Sequence, residues 1–182
     1  MPSGRASKRG DHPAPHGGSR PPPNDRRHDG EQLNALGNVI RGSLSCSPAD
    51  PFLWLILYWV EIAQNGSKAD YLKYLRMSYR LGRSEGWIAV KRNRIALGIF
   101  ERLPPDFSGM VIDEFANLLN SGFYGEVVEI FTGPGWHVRN QLLGSLKNVI
   151  ERHRLAFEQA LHAQGYEVTI PKVERRILRP WQ

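Results

Sequence analysis

After residue 30 the chain is cut repeatedly by proline, glycine and capping residues, and the stretches between cuts carry apolar residues at helical spacing. This punctuation constrains the fold more than any other feature. The clearest case is Phe52-Leu53-Trp54-Leu55-Ile56-Leu57-Tyr58-Trp59-Val60. Asp50 ahead of it is a good N-cap, and Pro51 suits the first helical position, where its missing N–H is not needed. Glu61 interrupts the run and Asn65-Gly66 closes it. A membrane span needs about 20 apolar residues, so this run reads as a buried core helix and no transmembrane segment is expected.

The same grammar repeats on both sides. Leu33, Leu36, Val39, Ile40 and Leu44 share a face between Glu31 and Ser45, and Ser47-Pro48 ends that segment. Ser67 is placed to cap a helix that carries Tyr71, Leu72, Leu75, Met77 and Tyr79 and stops at Gly82. Ser84 is placed to cap the next, which holds Trp87 to Phe100 and stops before Pro104-Pro105. Asp106 opens a helix ended by Gly122, a short one runs from Tyr124 to Phe131, and Gly133-Pro134-Gly135 breaks it. The last helical region extends from Trp136 to Gln164, with a division near Gly144-Ser145, and Gly165 stops it. Roughly seven or eight helices on short connectors predict an all-α fold of stacked antiparallel hairpins. No alternating strand pattern competes, and Tyr166 to Pro171 is at most extended.

Composition sets the ends. Residues 1–30 contain no Leu, Ile, Val, Phe, Tyr or Trp, but six Pro, five Gly and six Lys or Arg. Such a segment cannot bury enough apolar surface to offset its chain entropy, so a disordered basic tail is expected there. It also lacks the apolar centre of a signal peptide. The helical domain is expected over residues 31–165 and an extended basic tail over 166–182. Of the net charge of +6, half lies in residues 1–30 and half between Lys172 and Arg179. The folded middle is close to neutral, which argues against a whole-domain nucleic-acid binder. A cytoplasmic location is expected, or envelope association through a partner.

A repeat is visible inside the helical region. Trp54 and Trp87 lie 33 residues apart, and each opens a helix after a breaker. Pro48 precedes the first, Gly66 marks its hairpin turn, and Gly122-Phe123-Tyr124-Gly125-Glu126 resembles the turn of a third unit. In these positions the chain resembles tetratricopeptide repeats, whose helix–turn–helix unit is about 34 residues long. The resemblance covers about residues 36–132 and departs at Tyr58 and Asp70, where small residues are expected, so it implies an irregular array. A second resemblance rests on Asp50-Pro51-Phe52-Leu53-Trp54, Tyr74-Leu75-Arg76-Met77-Ser78-Tyr79-Arg80-Leu81-Gly82, Glu85-Gly86-Trp87-Ile88-Ala89, Gly133-Pro134-Gly135-Trp136 and Arg179-Pro180-Trp181. Together these look like small helical accessory proteins of bacterial exopolysaccharide synthesis. That resemblance implies a support role in making or exporting a surface polysaccharide.

Motifs for catalysis are missing. Gly133-Pro134-Gly135 has no following Lys-Ser or Lys-Thr, and its proline removes an N–H that a phosphate needs. Cys46 has no nearby histidine and reads as a small buried or half-buried thiol. His12, His16 and His28 fall in the tail, His137 and His162 lack a partner one helical turn away, and His153 sits on an apolar stripe as a satisfied core or edge residue. Asp113 and Glu114 diverge on a helix, and Glu126 and Glu129 have no electrophile, so all four read as solvated faces. No enzyme activity, metal or cofactor is expected. Glu61 belongs either at a groove edge or at the solvent face.

The strongest feature outside the core is basic. Arg76, Arg80 and Arg83 share a helix face, and Lys91, Arg92 and Arg94 follow on the next helix, with Tyr79 and Trp87 nearby. The leading expectation is a non-enzymatic helical adaptor that binds a protein partner in a groove, using Glu61, Tyr79, Arg76, Arg80, Arg83, Lys91 and Arg92. The alternative is a nucleic-acid or anionic-polymer binder that uses the tail and the Arg76–Arg94 cluster.

Overall fold

The computed structural model describes residues 23–82 and 85–170, with backbone alone for 23–29. Expectations for residues 1–22, Arg83, Ser84 and residues 171–182 fall outside the described residues. The described residues form eight α-helices and no strand, as the periodicity predicts. In chain order these are α1 (Pro23–Cys46), α2 (Pro51–Asn65), α3 (Leu72–Leu81), α4 (Gly86–Gly98), α5 (Pro105–Asn120), α6 (Tyr124–Thr132), α7 (Arg139–Ser145) and α8 (Glu151–Ala163).

Local chemistry explains most of the boundaries. Asp50 Oδ1 accepts from the Phe52 and Leu53 amides at 2.9 and 3.1 Å, and Pro51 is the first residue of α2. These bonds satisfy two amides that have no intrahelical partner. Gly122, between α5 and α6, has φ +84°, a conformation that costs an L side chain and suits glycine. Gly66 ends α2 and donates its N–H to Ile62 O at 3.1 Å. Three boundaries differ from expectation. The helical backbone of α1 begins at Pro23, ahead of Glu31. Ser67 caps nothing, because a 3₁₀ turn over Ala69–Tyr71 intervenes before α3. Between α7 and α8 a 3₁₀ turn over Leu146–Asn148 runs into extended Val149 and Ile150. There the Ile150 amide donates to Asn120 Oδ1 at 3.0 Å, which ties this break to the end of α5.

Helix α5 is the hub, in contact with α4, α6, α7 and α8. It buries Phe107, Val111, Phe115, Ala116, Leu118 and Leu119. Phe115 meets Phe131 of α6 and Phe157 of α8 at centroid distances of 6.3 and 6.1 Å, and those two rings meet edge-on at 5.5 Å. Helix α2 links this core to α1. It packs on α3 through Leu55 and Tyr58, and on α1 through Leu57 and Val60 against Ile40 and Leu44. Packing continues past Gly165: Tyr166 lies on Trp136, and Ile170 is buried in the main core. An apolar side chain on every second residue there brings the start of the expected extended tail onto the core.

Candidate functional site

The register of α4 carries two polar residues inward. Arg92 lies one turn from Ile88 and from Ala96, and Asn93 one turn from Ala89 and from Leu97. All four neighbours are buried, so Arg92 and Asn93 are buried with them, at 1% and 0% exposure. On α5 the same logic applies to Glu114, which lies between Val111 and Leu118 on the packed face.

These residues meet. Arg92 Nε donates to Glu114 Oε1 at 2.7 Å, and Nη2 pairs with the same oxygen. Nη1 donates to Ser78 O at 2.6 Å and Nη2 to Gly82 O at 2.7 Å. The guanidinium therefore joins three helices and caps the C-terminal carbonyls of α3, where a positive charge is favoured. It also lies over the Tyr79 ring, 4.7 Å from its centroid. Asn93 Nδ2 donates to Val111 O at 2.8 Å. The approach is close. A Cβ on Gly82 would stand 2.6 Å from Pro51 Cβ and 2.9 Å from Arg92 Nη1.

Burial pushes the Glu114 carboxyl up, and the bond and charge of Arg92 oppose it. Burial, then the Glu114 charge, holds the Tyr79 phenol well above its ordinary value. Four buried atoms here complete no hydrogen bond: Ser78 Oγ, the Tyr79 hydroxyl, Asn93 Oδ1 and Glu114 Oε2. Side-chain hydrogen bonding from Tyr79 and Asn93 also lowers the Glu114 carboxyl, though these contacts fall short of ordinary bond geometry. Alongside runs a groove of about 310 Å³ between α4 and α5. Gly86 and Ala89 form its α4 wall, Met110, Asp113, Glu114, Asn117, Leu118 and Ser121 its α5 wall, and Tyr79 and Arg92 contribute from beside it.

Three members of the basic cluster pair with acids. Arg92 is internal and not a surface cation. Arg76 pairs with Asp106 and lies 5.1 Å from the Phe107 centroid, and Arg94 pairs with Glu129 at 3.3 Å. Arg80 and Lys91 are exposed, and Arg83 lies outside the described residues. Tyr79 is buried beside Arg92. Glu61 is not at the solvent face. It is 6% exposed, pairs with Arg41 of α1 and accepts from Asn65 Nδ2 at 3.1 Å. Glu114 is not on a solvated face, and Cys46 is exposed rather than buried. His153 is a satisfied core histidine, with Nδ1 2.6 Å from the Tyr124 hydroxyl.

The tryptophans at the proposed repeat positions differ in setting. Trp54 is half-buried, stacks on Tyr74 at 6.0 Å and donates Nε1–H to Pro48 O at 2.8 Å. Trp87 is 50% exposed and rests on Phe52 at 4.9 Å. Among the described residues no His, Cys, Asp and Glu group could hold a metal ion, and no helix is long and apolar enough to cross a membrane. Compared with family models, curated proteins and solved structures, the chain matches none.

Proposed function

We propose that this chain is a non-enzymatic helical scaffold that receives a protein partner in the groove between α4 and α5. The groove itself carries the reading. Its volume of about 310 Å³ is at the small end of the roughly 300–1,000 Å³ typical of ligand pockets, and suits one inserted side chain. Trp87, half exposed and next in the chain to the groove residue Gly86, supplies the kind of aromatic anchor that dominates interface energetics. In this reading the helices form irregular tetratricopeptide-like hairpins. The resemblance to exopolysaccharide accessory proteins makes the partner a component of surface-polysaccharide synthesis or export, in the cytoplasm or at the envelope. The polymer-binding alternative is weaker, because Arg76, Arg92 and Arg94 already pair with carboxylates.

A photo-crosslinking residue in place of Asn117, introduced in cells that produce the protein, tests the reading. Asn117 is exposed and lines the groove. Crosslinking to one defined protein is expected, and its loss in Trp87→Ala would add the anchor. A folded variant that captures no protein on illumination overturns the scaffold reading.

A further inference from the structure

The groove has an unequal supply of hydrogen-bonding atoms. Among the described residues Arg92 is its one cationic side chain, and four hydrogen bonds already turn its donors toward Glu114 Oε1 and the carbonyls of Ser78 and Gly82. A guanidinium has five N–H groups, so little remains for an anionic ligand. Acceptors, by contrast, are in surplus. Glu114 is 9% exposed, and its Oε2 completes no hydrogen bond. Tyr79 is 3% exposed, and its hydroxyl, close to the Glu114 carboxylate, completes no hydrogen bond of ordinary geometry. Both side chains line the groove. At the rim, Asp113 is exposed and forms no ion pair among the described residues. Arg92 neutralises Glu114, which leaves the described lining with the negative charge of Asp113.

Unpaired buried acceptors are costly, and a donor that reaches them removes the cost. A carboxylate at the mouth adds attraction for positive charge. On the opposite wall Ala89 is small, and the Phe123 ring packs against Gly86. We propose that this groove takes a cationic N–H donor, an alkylammonium or guanidinium group, between the Asp113 carboxylate and the Glu114 and Tyr79 oxygens. The cation has two possible sources. One is a lysine or arginine side chain of a partner, which rests on the scaffold reading. The other is a free small amine, which does not.

The test is a titration of the ¹⁵N-labelled full chain, read as amide shifts of Gly86, Ala89, Asp113 and Asn117. The probes are blocked tripeptides Gly-Lys-Gly and Gly-Arg-Gly, their neutral counterparts with norleucine and citrulline, and free butylamine and agmatine. Saturable shifts are expected with the charged probes, and binding about tenfold weaker with the neutral ones, as befits a charge-assisted contact. Asp113→Asn changes an exposed side chain and is expected to weaken charged-probe binding about fivefold, the upper range of an exposed pair. Glu114→Gln is expected to lower affinity further, with its fold checked by the same spectrum. Tighter binding of peptides than of free amines assigns the partner source, and the reverse assigns the small-amine source. Equal binding of neutral and charged peptides overturns the cation proposal while leaving the scaffold reading intact. So does a spectrum in which no probe moves the groove amides, because the Asn117 crosslink does not depend on charge.

Discussion

At the scale of single residues, the Arg92–Glu114 pair carries the most consequence. Both side chains are buried, and the pair's net worth against an apolar substitute is small, but removing one partner strands the other charge. Arg92→Met is expected to destabilise the fold by about 3–5 kcal/mol, read from urea midpoints. The Glu114 carboxyl, raised by burial, holds its proton at a pH where the unfolded chain has released it. Stability on this account falls as pH rises from the ordinary carboxylate range through the raised folded value. In Glu114→Gln that slope is expected to vanish, and urea midpoints taken across the acidic range check it. Asp106 has the opposite sign. Its bond to Arg76 lowers the carboxyl, so its contribution disappears as pH falls below the ordinary range. The sequence held a signal for the buried pair: Arg92 shares a face with Ile88 and Ala96, and Glu114 shares one with Val111 and Leu118. Reading charge by proximity along the chain, rather than by helical face, put Arg92 on the surface and Glu114 in water.

Among the elements, the starts and stops written as cap residues were the most legible. Asp50 and Pro51 begin α2, and Gly66 and Gly122 stand at turns after helices, with side-chain bonds or backbone angles that only a few residue types supply. Asp50→Ala is expected to cost about 1 kcal/mol of stability, measured by thermal or urea unfolding, because two amides of α2 lose their acceptor. Ser67 was misread because a serine ahead of an apolar stripe looks like a cap wherever the helix begins. A 3₁₀ turn displaced that beginning, and no side chain caps α3. The break before α8 was only approximately placed, since Val149 and Ile150 carry no breaker chemistry. What holds it is Asn120, a residue of another helix, through its bond to the Ile150 amide.

Across the whole molecule, the helices are held unequally. Helix α5 touches four others, whereas α1 packs mainly on α2 through a small cluster of Ile40, Leu44, Leu57 and Val60. Fewer buried contacts mean a lower cost of local opening. Amides of α1 are therefore expected to exchange with deuterium well before those of α5, and equal protection in a hydrogen-exchange experiment would contradict this. The sequence by itself determined that the described chain is helical, where most helices begin and end, and which faces are apolar, because periodicity and capping act over one or two turns. The tertiary structure decided which charges meet. It paired Arg76, Arg92 and Arg94 with acids 22 to 35 residues away, closed Glu61 against Arg41, and opened the groove between α4 and α5. Those outcomes depend on how helices cross, and crossing is set by side-chain volumes on two elements at once, which no single segment encodes.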